Sequence, residues 1–293
     1  MSLALDESAS PILEVREVAV HFSGLIAIAS MSFAVPEGEI VSLIGPNGAG
    51  KTTAFNVITG FLKPTGGRVL FRGTDLTRLS SNRIAGLGVV RTFQRTSIFA
   101  GCTVFDNVLT GMHRQGRTET WGALLRLASV RAETERMRAA VAEILNFVGL
   151  SHRAEELAGN LAYGEQRLLG IAIALAADPK LLLLDEPAAG LNPSETEAFM
   201  AVVQRIRDRG VTILLVEHDM RMVMTISDRV VVLNHGRIIA EGSPEVIRAN
   251  PDVIQAYLGQ GVKHAKELRQ IKRTVFVGVE RWCSSTLDGS RFW

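Results

Sequence analysis

Short apolar runs recur along the chain and are separated by turns or by polar, helix-forming segments. Residues 13–72 contain short apolar runs divided by turns, and the run Ile40–Ile44 leads directly into a glycine-rich loop. From about Arg91 to Leu161 the apolar residues fall three or four positions apart, which is typical of helices. After this helical block, strand and helix patterns alternate, which predicts a parallel α/β sheet with buried strands. The predicted strands are Leu181–Leu184, Thr212–Val216 and Val230–Leu233, and the predicted helices are Glu195–Arg209 and Met220–Ile226.

The composition is that of a folded protein without a strong charge preference. Of the 293 residues, 47% are hydrophobic and 21% are charged, which is enough to bury a full core. A net charge of +2 gives no general attraction to nucleic acid or anionic lipid, and nucleic acid is not expected as a partner. Cys102 and Cys283 lack the spacing of a zinc site or a disulfide framework. We therefore expect a reduced, cytosolic protein.

Membrane-spanning and secretory patterns are not found in the sequence. The apolar stretch Leu168–Ala177 is followed by Asp178, Pro179 and Lys180, so it falls short of the roughly 18 apolar residues that a span needs. The N-terminal residues are polar and acidic, unlike a signal peptide. Any association with a membrane is expected to depend on a partner protein.

A phosphate-binding motif follows the buried run Ile40–Ile44. The segment Gly45-Pro46-Asn47-Gly48-Ala49-Gly50-Lys51-Thr52 has the P-loop pattern, and a helix is predicted to follow from Thr53. The glycines let the backbone amides turn inward around phosphate oxygens at a helix N-terminus. Lys51 is expected to contact the β- and γ-phosphates, and the Thr52 hydroxyl is expected to bind Mg²⁺. The alternative is an ordinary glycine turn that happens to precede a lysine.

Two acidic residues end the predicted strand Leu181–Leu184. Ligands bind at the carboxyl ends of parallel strands, so Asp185 and Glu186 are expected at the nucleotide site. Adjacent strand residues point to opposite sides, which predicts separate roles for the two acids. Asp185 is expected to hold Mg²⁺ and Glu186 to orient the attacking water. Without the P-loop, the same pair would be interpreted as a solvated strand end.

With these motifs in order, the chain resembles the ABC (ATP-binding cassette) ATPase family from about Leu13 to Gly259. The most diagnostic stretch is Leu161-Ala162-Tyr163-Gly164-Glu165-Gln166-Arg167, which resembles the family's LSGGQ signature before a helix predicted at Gln166–Ala177. In this family the signature loop faces the ATP bound by a partner subunit. Ala162, Tyr163 and Glu165 replace the usual serine, glycine and glutamine, so one hydrogen bond to the γ-phosphate is lost.

The resemblance implies further site residues. Gln94 is similar to the glutamine that contacts Mg²⁺ or water, and His218 is similar to the switch histidine that contacts the γ-phosphate. The stretch Ala189–Asn192 resembles the D-loop that crosses the dimer interface, with Asn192 in place of the common aspartate. Phe22 is similar in position to the aromatic residue that stacks on adenine.

The family resemblance also implies an architecture and partners. We expect a P-loop core with an N-terminal antiparallel β subdomain and an inserted helical subdomain at about 95–178, all within a domain at 13–259. Residues 1–12 are expected to be a tail, and 260–293 a basic extension, poorly ordered or lipid-binding. The implied partners are a second ATPase subunit, membrane permease subunits and, indirectly, a solute-binding protein, which places the chain at the cytoplasmic face of the cell membrane.

The finer resemblance is to the ATPases of branched-chain amino-acid importers. The helical insertion Trp121–Arg138 is typical of that subfamily, although urea, amide and other hydrophobic amino-acid importers use closely similar ATPases. Four stretches carry this resemblance: Arg91–Gln94, Asp185–Pro193, Glu217–Met220 and Asn250–Gly259.

Two other classes of protein share parts of this pattern. Soluble ABC ATPases act on DNA or ribosomes, but those types carry a very long coiled coil or two cassettes, and the sequence has neither. A P-loop kinase or GTPase would leave the signature stretch and His218 unexplained, and the guanine-reading NKxD motif is absent.

Overall fold

The computed structural model describes residues 11–92, 98–112 and 128–258, which form a ten-stranded mixed sheet with helices on both faces. The strand order across the sheet is β5-β4-β1-β2-β10-β9-β3-β8-β7-β6. The strands are β1 Pro11–Phe22, β2 Leu25–Pro36, β3 Ile40–Ile44, β4 Gly66–Phe71, β5 Thr74–Asp75, β6 Val89–Arg91, β7 Leu181–Asp185, β8 Thr212–Val216, β9 Arg229–Asn234 and β10 Arg237–Gly242. The α-helices are α1 Lys51–Ile58, α2 Ser81–Gly86, α3 Val104–Gly111, α4 Ala128–Val148, α5 Tyr163–Leu175, α6 Pro193–Asp208, α7 Met220–Ile226, α8 Pro244–Ala249 and α9 Pro251–Leu258. Short 3₁₀ helices lie at Ser151–Arg153 and Ala158–Asn160.

One end of the sheet is antiparallel, as predicted for the N-terminal part of the chain. β1 pairs with β2 on one side and with β4 on the other, and β4 pairs with β5. The β1–β2 connection is the two-residue turn Ser23-Gly24, and both residues have positive φ, at 31° and 98°. A turn of this kind matches the twist of the two strands and brings Phe22 opposite Leu25.

The other end of the sheet is parallel and holds the motifs that the sequence predicts to bind nucleotide. β3 lies between β8 and β9, and β8 also pairs with β7. The register pairs Val216, the last residue of β8, with both Leu43 and Asp185. The carboxyl ends of β3, β7 and β8 therefore meet at one edge of the sheet.

Two large hydrophobic clusters and a smaller third one, which contains Ile44, Val230 and Val232, cover the parallel strands, and this explains why those strands are apolar throughout. The cluster on one face contains Leu182, Leu184 and Leu215 and continues into the helical segments α3, α4, α5 and α6. The cluster on the opposite face contains Leu43, Leu181 and Leu183 with α1 and the antiparallel strands. In the described part of the chain, no helix combines the length and the apolar character needed to cross a membrane.

The structure corrects some sequence-based boundaries. β1 starts at Pro11, two residues before the predicted domain start at Leu13. The helix predicted to begin at Gln166 begins at Tyr163, because the Glu165 carboxylate accepts a hydrogen bond from the Ala162 N–H and caps an earlier first turn. The predicted tail at 260–293 and residues 121–127 of the predicted insertion lie outside the described residues, whereas the rest of the insertion is the start of α4.

Candidate functional site

The P-loop leaves the buried strand β3 through a backbone that requires glycine. Gly45 has φ 152°, and a Cβ atom there would lie 2.0 Å from the Leu233 carbonyl oxygen. Gly50, with φ 110°, is the N-cap residue of α1, so the loop ends at the positive end of a helix dipole. Asn47 and Gly48 are exposed, whereas Pro46 and Ala49 are buried beneath them. The loop can therefore present amides to an anion at its open surface.

Lys51 folds back over this loop from the first position of α1. Its buried Nζ donates hydrogen bonds to the carbonyl oxygens of Gly45 at 2.7 Å and Pro46 at 3.0 Å. Burial lowers the pKa of the Lys51 ammonium below its ordinary value, and the carboxylates of Glu186 and Asp185 oppose that shift. The cation thus lies within electrostatic reach of both acids that the sequence predicts for the site.

Asp185 ends strand β7 as a buried carboxylate, in the position that the sequence predicts. Its Oδ2 lies 2.5 Å from Nη2 of Arg91 at the end of β6. Arg91 also donates from Nη1 to Oδ1 of Asn56 on α1, at 2.7 Å, and lies over the Phe55 ring. Sequence reasoning missed this arginine, although a cation at the end of a predicted strand in a nucleotide-binding sheet was an available signal. Arg91 compensates the buried charge of Asp185 and connects it to α1.

Glu186 occupies a strained turn and not the end of the strand. Its φ is 47°, in the left-handed region that costs a non-glycine residue about 1–3 kcal/mol. The Glu186 N–H donates to the Val216 carbonyl at 2.8 Å, and the Ala189 N–H donates back to the Glu186 carbonyl at 3.2 Å. Strand alternation therefore does not apply to Glu186, because β7 ends at Asp185 and a backbone turn follows; the separate roles of the two acids stay a prediction.

His218 meets Glu186 across the ends of β7 and β8. Its Nε2 lies 2.7 Å from Glu186 Oε1, and the His218 side chain is 41% exposed. A carboxylate paired with an imidazole at the surface can polarise a water molecule and also contact an anion beside it. The structure thus brings two of the three predicted catalytic residues together. The third, Gln94, lies outside the described residues.

A second carboxylate that sequence reasoning missed lies beneath this pair. Glu217 is only 3% exposed, yet its Oε1 accepts a hydrogen bond from the Ala188 N–H at 2.7 Å. Its Oε2 accepts from the N–H groups of His218, at 2.8 Å, and Asp219, at 3.2 Å. Burial raises the pKa of the Glu217 carboxyl, and the three backbone hydrogen bonds oppose that shift. An acid directly after the fully apolar run of β8 was the available signal.

The signature stretch forms the start of α5 and contacts the predicted D-loop. Leu161 is buried, whereas Ala162 and Tyr163 are exposed at the helix N-terminus, with Gly164 and Glu165 half-buried in the first turn. The Tyr163 hydroxyl donates to the Ala189 carbonyl at 3.0 Å, and the Arg167 guanidinium lies 4.9 Å from the centre of the Tyr163 ring. The tyrosine at this position therefore joins the signature turn to the segment that follows Glu186.

Asn192 caps the helix after the D-loop. Its Oδ1 accepts from the Glu195 N–H at 3.0 Å, and Glu195 Oε2 accepts from the Asn192 N–H at 2.8 Å. This is a complete capping box, so asparagine supplies the local contact that an aspartate would supply there.

The other predicted nucleotide contacts lie around the P-loop. Thr52 is exposed on the first turn of α1, and Thr53 next to it is half-buried. Phe22 is 45% exposed and so is not a core residue. Strand β2 passes close to the P-loop. This is shown by Gly50, where a Cβ atom would lie 2.9 Å from the Ala27 carbonyl oxygen of β2. The exposed aromatic ring of Phe22 offers a face on which a flat ligand could stack.

Comparison with protein families gives two matches. The family described as ABC transporter matches residues 28–189, which is more than half of the chain. The family described as branched-chain amino acid ATP-binding cassette transporter matches residues 237–263.

Individual proteins are also similar over most of the chain. The high-affinity branched-chain amino acid transport ATP-binding protein LivG of Escherichia coli (strain K12) is 48% identical over 251 residues, covering 85% of this chain and 98% of the relative. BraF of Pseudomonas aeruginosa, described in the same words, is 46% identical with the same coverage. The crystal structure of the ADP conformation of MJ1267, an ATP-binding cassette of an ABC transporter, superposes with a TM-score of 0.75 at 33% identity, over 85% of this chain and 99% of that one.

Proposed function

Because the chain belongs to the ABC transporter family of ATP-binding proteins, we propose that it is the ATP-hydrolysing subunit of an importer for branched-chain or other hydrophobic amino acids. The observation that carries the catalytic part of this proposal is the 2.7 Å contact between His218 Nε2 and Glu186 Oε1. This pair lies at the edge of the sheet from which the P-loop also leaves, so a γ-phosphate on the P-loop would lie beside it.

The P-loop binds ATP through backbone and side-chain contacts. The amides of 45–53 surround the phosphates, and Lys51 supplies a cation when its Nζ exchanges the loop carbonyls for phosphate oxygens. The solved ADP conformation of MJ1267, a relative that is 33% identical, supports a nucleotide as the ligand. Phe22 is proposed to stack on the adenine ring.

We propose that Thr52 and Asp185 would hold a magnesium ion when nucleotide is bound. Among the described residues, no three His, Cys, Asp or Glu side chains lie close enough to hold a metal by themselves. Magnesium at nucleotide sites uses one or two protein oxygens and completes its shell with phosphates and water, so a hydroxyl and one carboxylate suffice. When bound, Mg²⁺ would neutralise the charge that develops on the phosphates. Gln94 is proposed as a further ligand.

Glu186 is proposed to orient and polarise the water that attacks the γ-phosphate. Its carboxylate can accept a hydrogen bond from that water, while His218 holds the carboxylate and contacts the γ-phosphate. This carboxylate lies just beyond the end of β7, at the edge of the sheet from which the P-loop leaves.

The second half of each site is proposed to come from another ATPase subunit. The N-terminus of α5 presents the exposed residues Ala162 and Tyr163 and carries the partial positive charge of the helix. In a two-cassette sandwich, Leu161–Glu165 of one subunit would close over the γ-phosphate held by the P-loop of the other. The two subunits are either identical or different, and the oligomeric state of the Glu186→Gln variant with ATP distinguishes these cases.

The transport role is proposed from the relatives. LivG and BraF are named as branched-chain amino acid transport ATP-binding proteins, and both are matched almost end to end. We therefore propose membrane permease subunits as partners, with a solute-binding protein acting through them, at the cytoplasmic face of the cell membrane. An importer of urea or amides is the alternative cargo, and a soluble ATPase acting on DNA or ribosomes is the alternative class.

The test is purification of the tagged chain from its native membranes in mild detergent, followed by reconstitution of the complex in vesicles. We expect integral membrane permease subunits to co-purify, and we expect ATP-driven uptake of leucine or valine to exceed that of urea. The Glu186→Gln variant, assembled in the same complex, should show no uptake. Co-purification with ribosomes or DNA, without a permease, would contradict the transport role.

A further inference from the structure

We propose that Glu217 is a positioning residue for ATP hydrolysis, which sets the geometry of Glu186 and His218 by tying their two loops together. The proposal rests on the function proposed above, and it adds a buried carboxylate that the catalytic steps themselves do not use. Glu217 does not touch the reacting atoms, because it lies below the loops with both oxygens bonded to backbone N–H groups.

Glu217 joins backbone groups from two separate loops. Oε1 binds the Ala188 N–H in the turn after β7, and Oε2 binds the N–H groups of His218 and Asp219 in the loop after β8. One carboxylate therefore spans the two segments that carry the catalytic pair. A hydrogen bond from the Glu186 N–H to the Val216 carbonyl oxygen joins the same two segments at their base. Glu217 therefore supplies a second attachment farther along both loops.

The turn that Glu217 holds has a strained backbone. Glu186 has φ 47°, and such a conformation persists only where surrounding contacts impose it. Ala188 lies two residues after Glu186, and its N–H is fixed by the Glu217 carboxylate. Releasing that N–H would let the turn relax and would move the Glu186 carboxylate away from His218.

Only a carboxylate can accept the hydrogen bonds that Glu217 accepts at this position. All three donors are N–H groups, so the site requires an acceptor on both sides, which a carboxylate provides and an amide does not. In Glu217→Gln, the amide nitrogen must face either Ala188 or the pair His218 and Asp219. In both orientations one loop loses its attachment, while the size and shape of the side chain are retained.

The experiment measures ATP turnover of the full chain carrying Glu217→Gln, with Glu241→Gln as the matched control. Glu241 is also a partly buried glutamate whose pKa is raised by burial, but it accepts a hydrogen bond from Arg229 within the β9–β10 hairpin. We expect kcat of Glu217→Gln to fall about tenfold or more while KM for ATP changes less than about twofold, since displacing a catalytic group affects turnover more than binding. Glu241→Gln should retain the wild-type kcat.

A double-mutant cycle with His218→Ala separates positioning from general stabilisation of the fold. If Glu217 acts through the Glu186–His218 pair, adding Glu217→Gln to His218→Ala should lower kcat by no more than about twofold further. A kcat for Glu217→Gln within twofold of wild type would overturn the proposal. Equal fold losses in the wild-type and His218→Ala backgrounds would also overturn it.

A second variant keeps the test decisive if Glu217→Gln does not fold. Glu217→Asp retains both acceptor oxygens but is one methylene too short to reach both loops at once, so the same loss in kcat is expected. Undiminished turnover in Glu217→Asp would likewise overturn the proposal. Failure of the proposed function would be distinguishable, because it would show as a wild-type chain that does not hydrolyse ATP at all.

Discussion

Nε2 of His218 lies 2.7 Å from Oε1 of Glu186, although the two residues are 32 positions apart in the chain. The contact follows from the adjacency of β7 and β8, whose register pairs Asp185 with Val216. Each residue leaves its strand by a short loop, and the loops converge at the edge of the sheet next to the P-loop. The carboxylate and the imidazole thus form one unit, and their contributions to hydrolysis are not expected to be additive.

Replacing the imidazole should affect hydrolysis and spare binding. In His218→Ala we expect kcat to fall by about an order of magnitude or more, because one contact to the transition state is lost. ATP affinity, measured with a fluorescent analogue, should remain near that of wild type. Equal losses in binding and turnover would indicate that His218 supports the fold instead.

Removing the P-loop cation should abolish productive ATP binding. In Lys51→Ala the β- and γ-phosphates lose the charge-assisted contact of the Lys51 ammonium, so we expect no measurable turnover. The substitution also removes the two hydrogen bonds to the Gly45 and Pro46 carbonyls. Circular dichroism and thermal unfolding provide the control for folding, and wild-type ATPase activity in Lys51→Ala would contradict the site.

Restoring a hydroxyl at the signature turn should stabilise α5. Ala162 has the extended backbone of an N-cap residue, and Glu165 already accepts from its N–H. A serine at position 162 would add the reciprocal bond to the Glu165 N–H, so we expect Ala162→Ser to raise the free energy of unfolding by about 1 kcal/mol. Denaturant unfolding measures this change, and a decrease would contradict the capping geometry.

The basic C-terminal extension is not expected to contribute to the nucleotide site. All the predicted site residues precede Gly259, and chain ends seldom anchor a domain. Truncation after Gly259 should therefore preserve ATP binding and basal hydrolysis, as measured on the purified chain. Aggregation or loss of nucleotide binding would mean that residues 260–293 pack on the fold.

The local motifs of this site could be predicted from sequence, whereas its cross-chain contacts could not. The P-loop depends on glycines at fixed positions between a buried strand and a helix, so consecutive residues are sufficient to predict it. The Arg91–Asp185 ion pair and the contact of Glu217 with Ala188 depend on β6 and β8 both lying beside β7. That strand order results from packing of the whole sheet and leaves no periodic pattern along the chain.

The backbone conformation of Glu186 is a second feature that the sequence pattern could not predict. An apolar strand that ends in Asp-Glu predicts alternating directions for the two acids, but Glu186 lies beyond the strand with a left-handed φ, in a turn that is hydrogen-bonded to Val216. Such a conformation is decided by tertiary contacts, because the residue's own preference opposes it.

In the proposed mechanism this chain hydrolyses ATP between two cassettes, and the Glu186→Gln variant should hold the ATP-bound state. The substitution keeps the size of the side chain and removes the carboxylate, so ATP should remain intact between the P-loop of one subunit and the signature turn of the other.

The matched control is Ala162→Asp in the same background. Aspartate is a good N-cap residue, so α5 should persist, but its charge would repel the partner's γ-phosphate. Position 164 is a less suitable place for the added aspartate, because a Cβ atom on Gly164 would lie 2.9 Å from the Glu195 carboxylate.

The most direct measurement is size-exclusion chromatography with light scattering on the Glu186→Gln variant, with and without ATP. We expect a monomer without nucleotide, a dimer with ATP, and a monomer under both conditions when Ala162→Asp is added. A Glu186→Gln chain that stays monomeric at high protein and ATP concentrations would contradict pairing of identical subunits. A double variant that dimerises as well as its parent would contradict the assignment of the signature turn to the ATP interface.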